Sequence, residues 1–383
     1  MIVFHPAHQI EFKSLVHGLL AAKSQGFVRE QVHPHHHNLS IFCYTKQCVF
    51  EKAWNLSTRI ARGLVIDRHA GKIVATPFPK FFNYGERIDD HLPNLPFDVF
   101  DKMDGSLGVA FHYAGEWHVA TKGSFMSEQA KRATEWLRAR PPSDPTITYL
   151  FEIIYAENRI VIQYPLAMTG LHLLGAYGQN GEDFGNTRTL RTISAEIGWP
   201  MAETFHGVSF RDLLNQLPTL PKHREGFVLR YDNGQRFKLK GEAYMRIHRA
   251  ISGLTPLHVW RLMQANADLG AFKRDLPEEF HGDFHTILAL LTNKRDDILR
   301  LVEALVWDLR GCSAKEAAQA LQYEATIDFN TRKLFFPVRN KQLYHGSRSW
   351  MTLHEMFRPT GNVLPGYVPG SHLLEAQDAL ETE

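Results

Sequence analysis

The sequence predicts an α+β fold, antiparallel sheets with flanking helices, followed by a small all-α unit. Two observations carry this. Between residues 39 and 240, β-branched and aromatic runs alternate with turn residues at hairpin spacing. Beyond about residue 247, Ile287, Leu288, Leu291, Ile298, Leu301, Val302, Leu305, Val306 and Leu309 follow a helical period that stops at Gly311. The division is therefore placed between 1–247 and 248–383, and 383 residues are enough for two domains.

In chain order, residues 7–33 read as a polar-faced helix followed by a loop. His33-Pro34-His35-His36-His37 reads as a solvated loop rather than a metal site, because its proline bars a helical ligand pair. Leu39–Tyr44 and Leu64–Asp67 are strand runs, the second turning at Arg68-His69-Ala70-Gly71 into Lys72–Thr76. In Pro77-Phe78-Pro79-Lys80-Phe81-Phe82-Asn83-Tyr84 the prolines exclude a helix interior, and the aromatics suggest a rigid wall. Val109–Tyr113 and Glu116–Thr121 form a hairpin around Ala114-Gly115, and Ser127–Arg140 is a helix stopped by Pro141-Pro142.

Ile147–Tyr155 is a strand carrying one carboxylate, Glu152, which needs a partner or a ligand there. Asn158-Arg159 is read as a turn into a further strand, Ile160–Tyr164. Leu171–Tyr177 is another strand, and Leu190–Ile197 a helix ending at Gly198. Asp232-Asn233-Gly234 joins Glu225–Tyr231 to Arg236–Lys240 as a hairpin, which puts Lys238 and Lys240 on one strand face. Ser313-Ala314-Lys315-Glu316 is a capping box opening a late helix. The acidic end, Glu375–Glu383, reads as frayed.

The stretch most open to chemistry is Lys102-Met103-Asp104-Gly105-Ser106, between the strand runs Phe97–Phe100 and Leu107–Phe111. A lysine attacks only as the free amine, and free lysine titrates near ~10.4. Partial burial and nearby positive charge lower that value enough for covalent catalysis.

The net charge is only +2, so affinity for nucleic acid must come from local patches. Cys43, Cys48 and Cys312 form no C-x-x-C pair and read as reduced thiols. The amino terminus lacks the regions of a signal peptide and no apolar run reaches membrane-spanning length, so the expectation is a cytoplasmic protein without membrane partners. In the last third, Arg332, Lys333, Arg339, Lys341, Arg348 and Arg358 interleave with Phe335, Phe336, Tyr344, Trp350 and Phe357. That pattern suits single-stranded nucleic acid as well as a helical core.

The order K-x-D-G, strand glutamate, Glu-Gly, Lys-x-Lys resembles the covalent nucleotidyltransferases. Ala61-Arg62-Gly63, Pro79-Lys80-Phe81-Phe82-Asn83, Lys102–Leu107, Thr121-Lys122-Gly123-Ser124 and Asn158-Arg159-Ile160-Val161 narrow the resemblance to the phage-type RNA ligase 1 family, over about residues 39–247. The resemblance implies a ligase-type, ATP-grasp-like nucleotidyltransferase domain and an ATP-dependent RNA ligase acting in RNA repair. Lys102 would carry AMP. Lys238 and Lys240 would contact phosphates and help lower the Lys102 pKa. Arg62, Lys80 and Lys122 would line the nucleotide and phosphate site, with Tyr44 in the nucleotide pocket. Glu152 would contact the nucleotide sugar, and Glu225 would lie near a divalent metal, magnesium or manganese. Asp104 and Gly105 would shape the turn and let the nucleotide approach the backbone. The implied partners are single-stranded RNA ends or a nicked structured RNA such as tRNA. Separate end-healing kinase and phosphatase enzymes are implied too, with the helical part as an RNA-specificity domain. The alternatives are a DNA ligase or capping guanylyltransferase with the same lysine chemistry, or a non-catalytic RNA-binding protein on this scaffold.

Overall fold

The structure is a computed structural model that describes residues 2–87, 91–324 and 327–370. The acidic segment Glu375–Glu383 lies outside the described residues. The contacts divide the chain into two compact units that part between Met245 and Arg246. Among the described residues no helix is long and apolar enough to cross a membrane.

The first unit holds three sheets. β1 (Val28–Val32), β2 (Leu39–Tyr44), β3 (Arg62–Asp67) and β4 (Lys72–Ala75) form an antiparallel meander. The remaining strands are β5 (Phe82–Asn83), β6 (Phe97–Asp101), β7 (Ser106–Tyr113), β8 (Glu116–Thr121), β9 (Thr148–Ile154), β10 (Gly170–Tyr177), β11 (Thr204–Phe205), β12 (Gly226–Tyr231) and β13 (Arg236–Lys240). They make one sheet in the order β10-β9-β7-β8 and another in the order β11-β6-β12-β13-β5.

Hydrophobic burial locks these layers. Leu39, Ile41 and Val65 of the meander pack with Val109, Phe111 and Leu150 of the second sheet. The helix Phe12–Ser24 covers the other face of the meander through Leu15 and Leu19. The helices Glu128–Ala139 and Thr187–Ile197 bury Ala133, Leu137, Leu190 and Ile193 against β9 and β10. Each starts on a side-chain cap, Ser127 to the amide of Ala130 and Asn186 to that of Thr189, which satisfies otherwise orphaned donors.

Two local readings are corrected. The segment read as a loop before residue 33 contains β1, whose edge residues are mostly exposed and polar and so hide the strand period. Ile160–Tyr164 is not a strand. Its amides at Val161 and Ile162 donate to the Asp104 carboxylate at 2.8 and 2.7 Å in place of a ladder. The histidine run is the β1–β2 turn, folded around buried His33, whose Nδ1 accepts from the amides of His35 and His36.

The second unit is helical: Pro256–Gln264, Leu269–Asp275, His281–Asp308, Ala314–Tyr323, Phe329–Arg339 and Arg348–Met356. Of the aromatics that interleave with basic residues in the sequence, Phe335 and Phe357 are buried in this unit. Trp350 donates to the Gln264 carbonyl at 2.8 Å and packs its ring 4.3 Å from His354. The interleaving thus largely reflects core packing, with Tyr344 the exposed member.

Candidate active site

The strand register builds the centre of the site. β12 lies between β6 and β13, so Phe227 faces Asp101 on one side and Leu239 on the other. One residue along, the Lys102 amide donates to the Gly226 carbonyl at 3.0 Å, and Gly226 faces Lys240. Lys102, Gly226 and Lys240 therefore stand in one row across three chain segments. Gly226 has φ 151°, and a β-carbon there would fall 1.9 Å from the Leu239 carbonyl oxygen, so the row closes only with glycine.

The preceding residue, Glu225, is fully buried. Its Oε1 lies 2.6 Å from Lys102 Nζ and 3.0 Å from Lys240 Nζ. A buried carboxylate requires such compensation, since desolvating an ion costs several kcal/mol. Two ammoniums around one carboxylate leave the Lys102–Glu225–Lys240 trio net positive, beside the carboxylates of Asp101, Asp104 and Glu152. Neither Glu225 oxygen accepts an aligned hydrogen bond among the described residues, so it is held by charge rather than by a donor network. Beside it, burial pushes the Asp101 carboxyl up to about 6, and Arg224, with Nε 3.0 Å from Asp101 Oδ1, opposes that rise.

Asp104 and Gly105 fix the turn that follows the lysine. Asp104 Oδ2 accepts from the Val161 and Ile162 amides, and Oδ1 accepts from the Tyr244 hydroxyl at 2.9 Å. The Asp104 amide donates to the Tyr164 hydroxyl at 2.8 Å. A β-carbon on Gly105 would meet the Ile153 carbonyl at 2.8 Å and Glu152 Cγ at 3.1 Å. Gly105 thus packs closely against β9. Glu152 itself is buried on β9, between Leu107 of β7 and His172 of β10 in the register.

A second group surrounds Lys80. Its buried ammonium lies 5.7 Å from the ring centroid of Tyr44, 5.5 Å from that of Trp54 and 5.6 Å from that of Phe82. Lys122 Nζ sits 4.8 Å from the Tyr44 ring and donates to its hydroxyl at 3.5 Å. Aromatic faces stabilise a cation in a partly desolvated place without neutralising it. Arg62 and Lys238 flank Phe81, at 5.6 and 5.2 Å from its ring. Arg62 Nε and Nη1 and Asn83 Oδ1 are buried with no hydrogen-bond partner among the described residues. Such groups are costly unless a ligand satisfies them.

The structure thus gathers Lys102, Asp104, Gly105, Glu152, Glu225 and Lys240 into one cluster, and Tyr44, Lys80 and Lys122 into another. Lys238, two residues from Lys240, and Arg62 meet at Phe81, next in sequence to Lys80. Sequence reasoning missed Trp54 and Tyr244. Trp54 stands outside every motif-like run, and Tyr244 lies beyond the last strand.

The first unit is α+β, three sheets with flanking helices. Residues 60–244 match the RNA ligase family. A protein of Autographa californica nuclear polyhedrosis virus, described as a bifunctional polynucleotide kinase/RNA ligase, is 26% identical over 219 residues, covering 49% of this chain and 30% of that protein. The RNA ligase of Rhodothermus phage RM378 is 20% identical over 292 residues, covering 57% of this chain and 66% of the relative. These matches span less than two thirds of the relatives' own lengths. An archaeal ATP-dependent RNA ligase structure aligns with 91% of this chain and 97% of its own at 13% identity and a TM-score of 0.46, a loose likeness.

Proposed function

We propose that the chain is an ATP-dependent RNA ligase that joins 5′-phosphate and 3′-hydroxyl RNA ends in RNA repair, with Lys102 as the nucleophile. The observation that carries this is the Lys102–Glu225–Lys240 charge cluster inside the segment that matches the RNA ligase family. The Lys102 amine, its proton released to the carboxylate 2.6 Å away or to solvent, attacks the α-phosphorus of ATP. A P–N bond forms, the bond to the β-phosphate oxygen breaks, and pyrophosphate leaves. A 5′-phosphate oxygen of RNA then displaces Lys102, giving a 5′-5′ adenylate. Finally a 3′-hydroxyl attacks the RNA phosphorus, loses its proton and releases AMP. Each step is an in-line displacement, in which placement and charge do most of the work.

Lys238, Lys240, Arg62, Lys80 and Lys122 take the phosphates in this reading, Arg62 Nε and Nη1 being buried donors without a hydrogen-bond partner among the described residues. Tyr44 lines the nucleotide pocket, Glu152 takes the sugar, and Asp104 and Gly105 hold Lys102 in place. For the divalent metal, Glu225 offers a buried carboxylate oxygen, Oε2, that accepts no hydrogen bond among the described residues. No cluster of three metal-ligating side chains occurs among the described residues. That set fits magnesium or manganese bound by one carboxylate together with substrate phosphates, and unlike a protein-only cage. When bound, the ion offsets phosphate charge and favours the pyrophosphate leaving group. The helical unit serves RNA specificity, and end-healing kinase and phosphatase activities precede the reaction.

The test is incubation with α-labelled ATP and magnesium followed by denaturing electrophoresis. Wild-type protein should retain label, Lys102→Ala should not, and a 5′-phosphorylated RNA should chase the label into a joined or circular product. Label retained by Lys102→Ala, or none on wild-type protein freed of prebound AMP, would overturn the proposal.

A further inference from the structure

We infer that the helical unit carries a docking surface for unpaired RNA bases at the two ends of the Ala314–Tyr323 helix. This inference rests on the reading of the chain as an enzyme of RNA ends. It uses different aromatics from those that interleave with basic residues in the sequence. Trp307, Tyr323 and Phe329 are 65%, 84% and 69% exposed. Each therefore leaves most of its ring in water, where a stacking base would cover it.

Two of the three are backed by cations. Arg310 Cζ lies 4.2 Å from the Trp307 ring centroid, and its Nη1 donates to the Trp307 carbonyl at 2.7 Å. Lys333 Nζ lies 4.1 Å from the Phe329 ring. A cation stacked on one face of an aromatic ring leaves the other face for a base and brings positive charge for the adjoining phosphate. Acids share both ends, Asp308 and Glu316 near one and Glu324 and Asp328 near the other, so the positive charge offered is that of the stacked Arg310 and Lys333 themselves and not of a basic patch.

The arrangement has a defined span. The Ala314–Tyr323 helix, ten residues long, extends about 15 Å. The Trp307–Arg310 pair lies before its start and Tyr323 at its end. Arg339 donates to the Cys312 carbonyl and Arg332 to that of Glu324, each at 2.7 Å, so the Phe329–Arg339 helix runs antiparallel alongside. Phe329 and Lys333 therefore stand at the Tyr323 end. Two cation-backed platforms at this separation suit a single strand whose unpaired bases expose their faces, whereas a duplex hides them. A protein partner would instead favour uninterrupted apolar contact at the centre of its interface.

The test uses the full chain carrying Trp307→Ala and Phe329→Ala. Fluorescence anisotropy would measure binding of a short, unstructured, 5′-phosphorylated RNA, with lysyl-AMP formation followed in parallel. The double variant should bind RNA roughly tenfold or more weakly, from the loss of two stacking platforms, and should label with AMP as wild type does. Trp307→Phe with Phe329→Tyr should bind normally. Arg310→Gln with Lys333→Gln should lower the log-log salt slope by about 1.4. Wild-type RNA affinity in a folded double alanine variant would overturn the inference, and if that variant also lost a self-association shown by wild type, the surface would belong to protein contacts instead. Weakened RNA binding in a protein that forms no lysyl-AMP would leave the docking surface standing while sinking the ligase reading.

Discussion

Glu225 Oε1 is shared by Lys102 and Lys240, at 2.6 and 3.0 Å, so the two lysines are tied through one buried carboxylate. Glu225→Gln takes that negative charge from both ammoniums at once. The expected cost is about 3 kcal/mol, in the range for breaking a buried ion pair by removing one partner. Lys102→Met should cost less, because Glu225 keeps Lys240. Urea unfolding of the two variants distinguishes this from a carboxylate that matters only to a metal, for which both would unfold like wild type.

The Asp104 carboxylate acts inside the protein. Removing it in Asp104→Ala deprives the Val161 and Ile162 amides and the Tyr244 hydroxyl of their acceptor. Each buried donor left without a partner costs about 1–3 kcal/mol, so the loss should be several kcal/mol. Asp104→Asn should be milder, since its oxygen can keep both amides while its amino group turns toward Tyr244. Asp104→Ala should lose AMP attachment through displacement of Lys102, and Asp104→Asn should keep part of it. Wild-type melting temperatures in both would mean that the carboxylate serves a ligand and not the turn.

These two residues show what the sequence disclosed and what it withheld. The spacing around Asp232-Asn233-Gly234 reveals the β12–β13 hairpin and the shared face of Lys238 and Lys240, because strand period is local. Nothing local shows that β12 runs beside β6, which is what sets Glu225 against Lys102. Ile160–Tyr164 looks like a strand because it is apolar, and Ile160, Val161 and Ile162 are indeed buried. Its hydrogen bonds go to a side chain 57 residues earlier, and composition carries no trace of that. Tyr244 escaped for the same reason. The aromatics of the last third left two readings open, because core packing and base stacking draw on the same side chains.

His5 should make the fold sensitive to acid. Burial, followed by the nearby charge of His8, lowers its pKa from 6.5 to about 3. Its Nδ1 accepts from the Ala7 amide, and its ring meets Tyr177 edge-on at 5.2 Å. The folded pKa is the depressed one, so this stability is complete above about 6.5 and is lost as pH falls toward about 3. The limiting slope for one proton is about 1.4 kcal/mol per pH unit. Urea unfolding at pH 7.5 and pH 5 should show the loss in wild type, and His5→Gln should flatten it even though His33, lowered to about 4, adds a slope of the same sign. An unchanged slope in His5→Gln would show that His5 does not couple protonation to folding.

Trp54 should tune the affinity for nucleotide without holding up the fold. It is only half-buried, and its ring stands edge-on to Tyr44 at 5.0 Å and to Phe82 at 5.5 Å. It also forms one wall of the cage around Lys80, whose ammonium is 5.5 Å from its ring. Trp54→Leu keeps an apolar filler but removes the π face, which is worth about 0.5–2 kcal/mol to a partly desolvated cation. Half-saturation of lysyl-AMP formation by ATP should therefore shift upward by roughly 2- to 30-fold. The maximal extent of labelling should be kept, and Trp54→Phe should restore most of the affinity. A variant that saturates at the wild-type ATP concentration would show that the cage holds Lys80 for some purpose other than nucleotide binding.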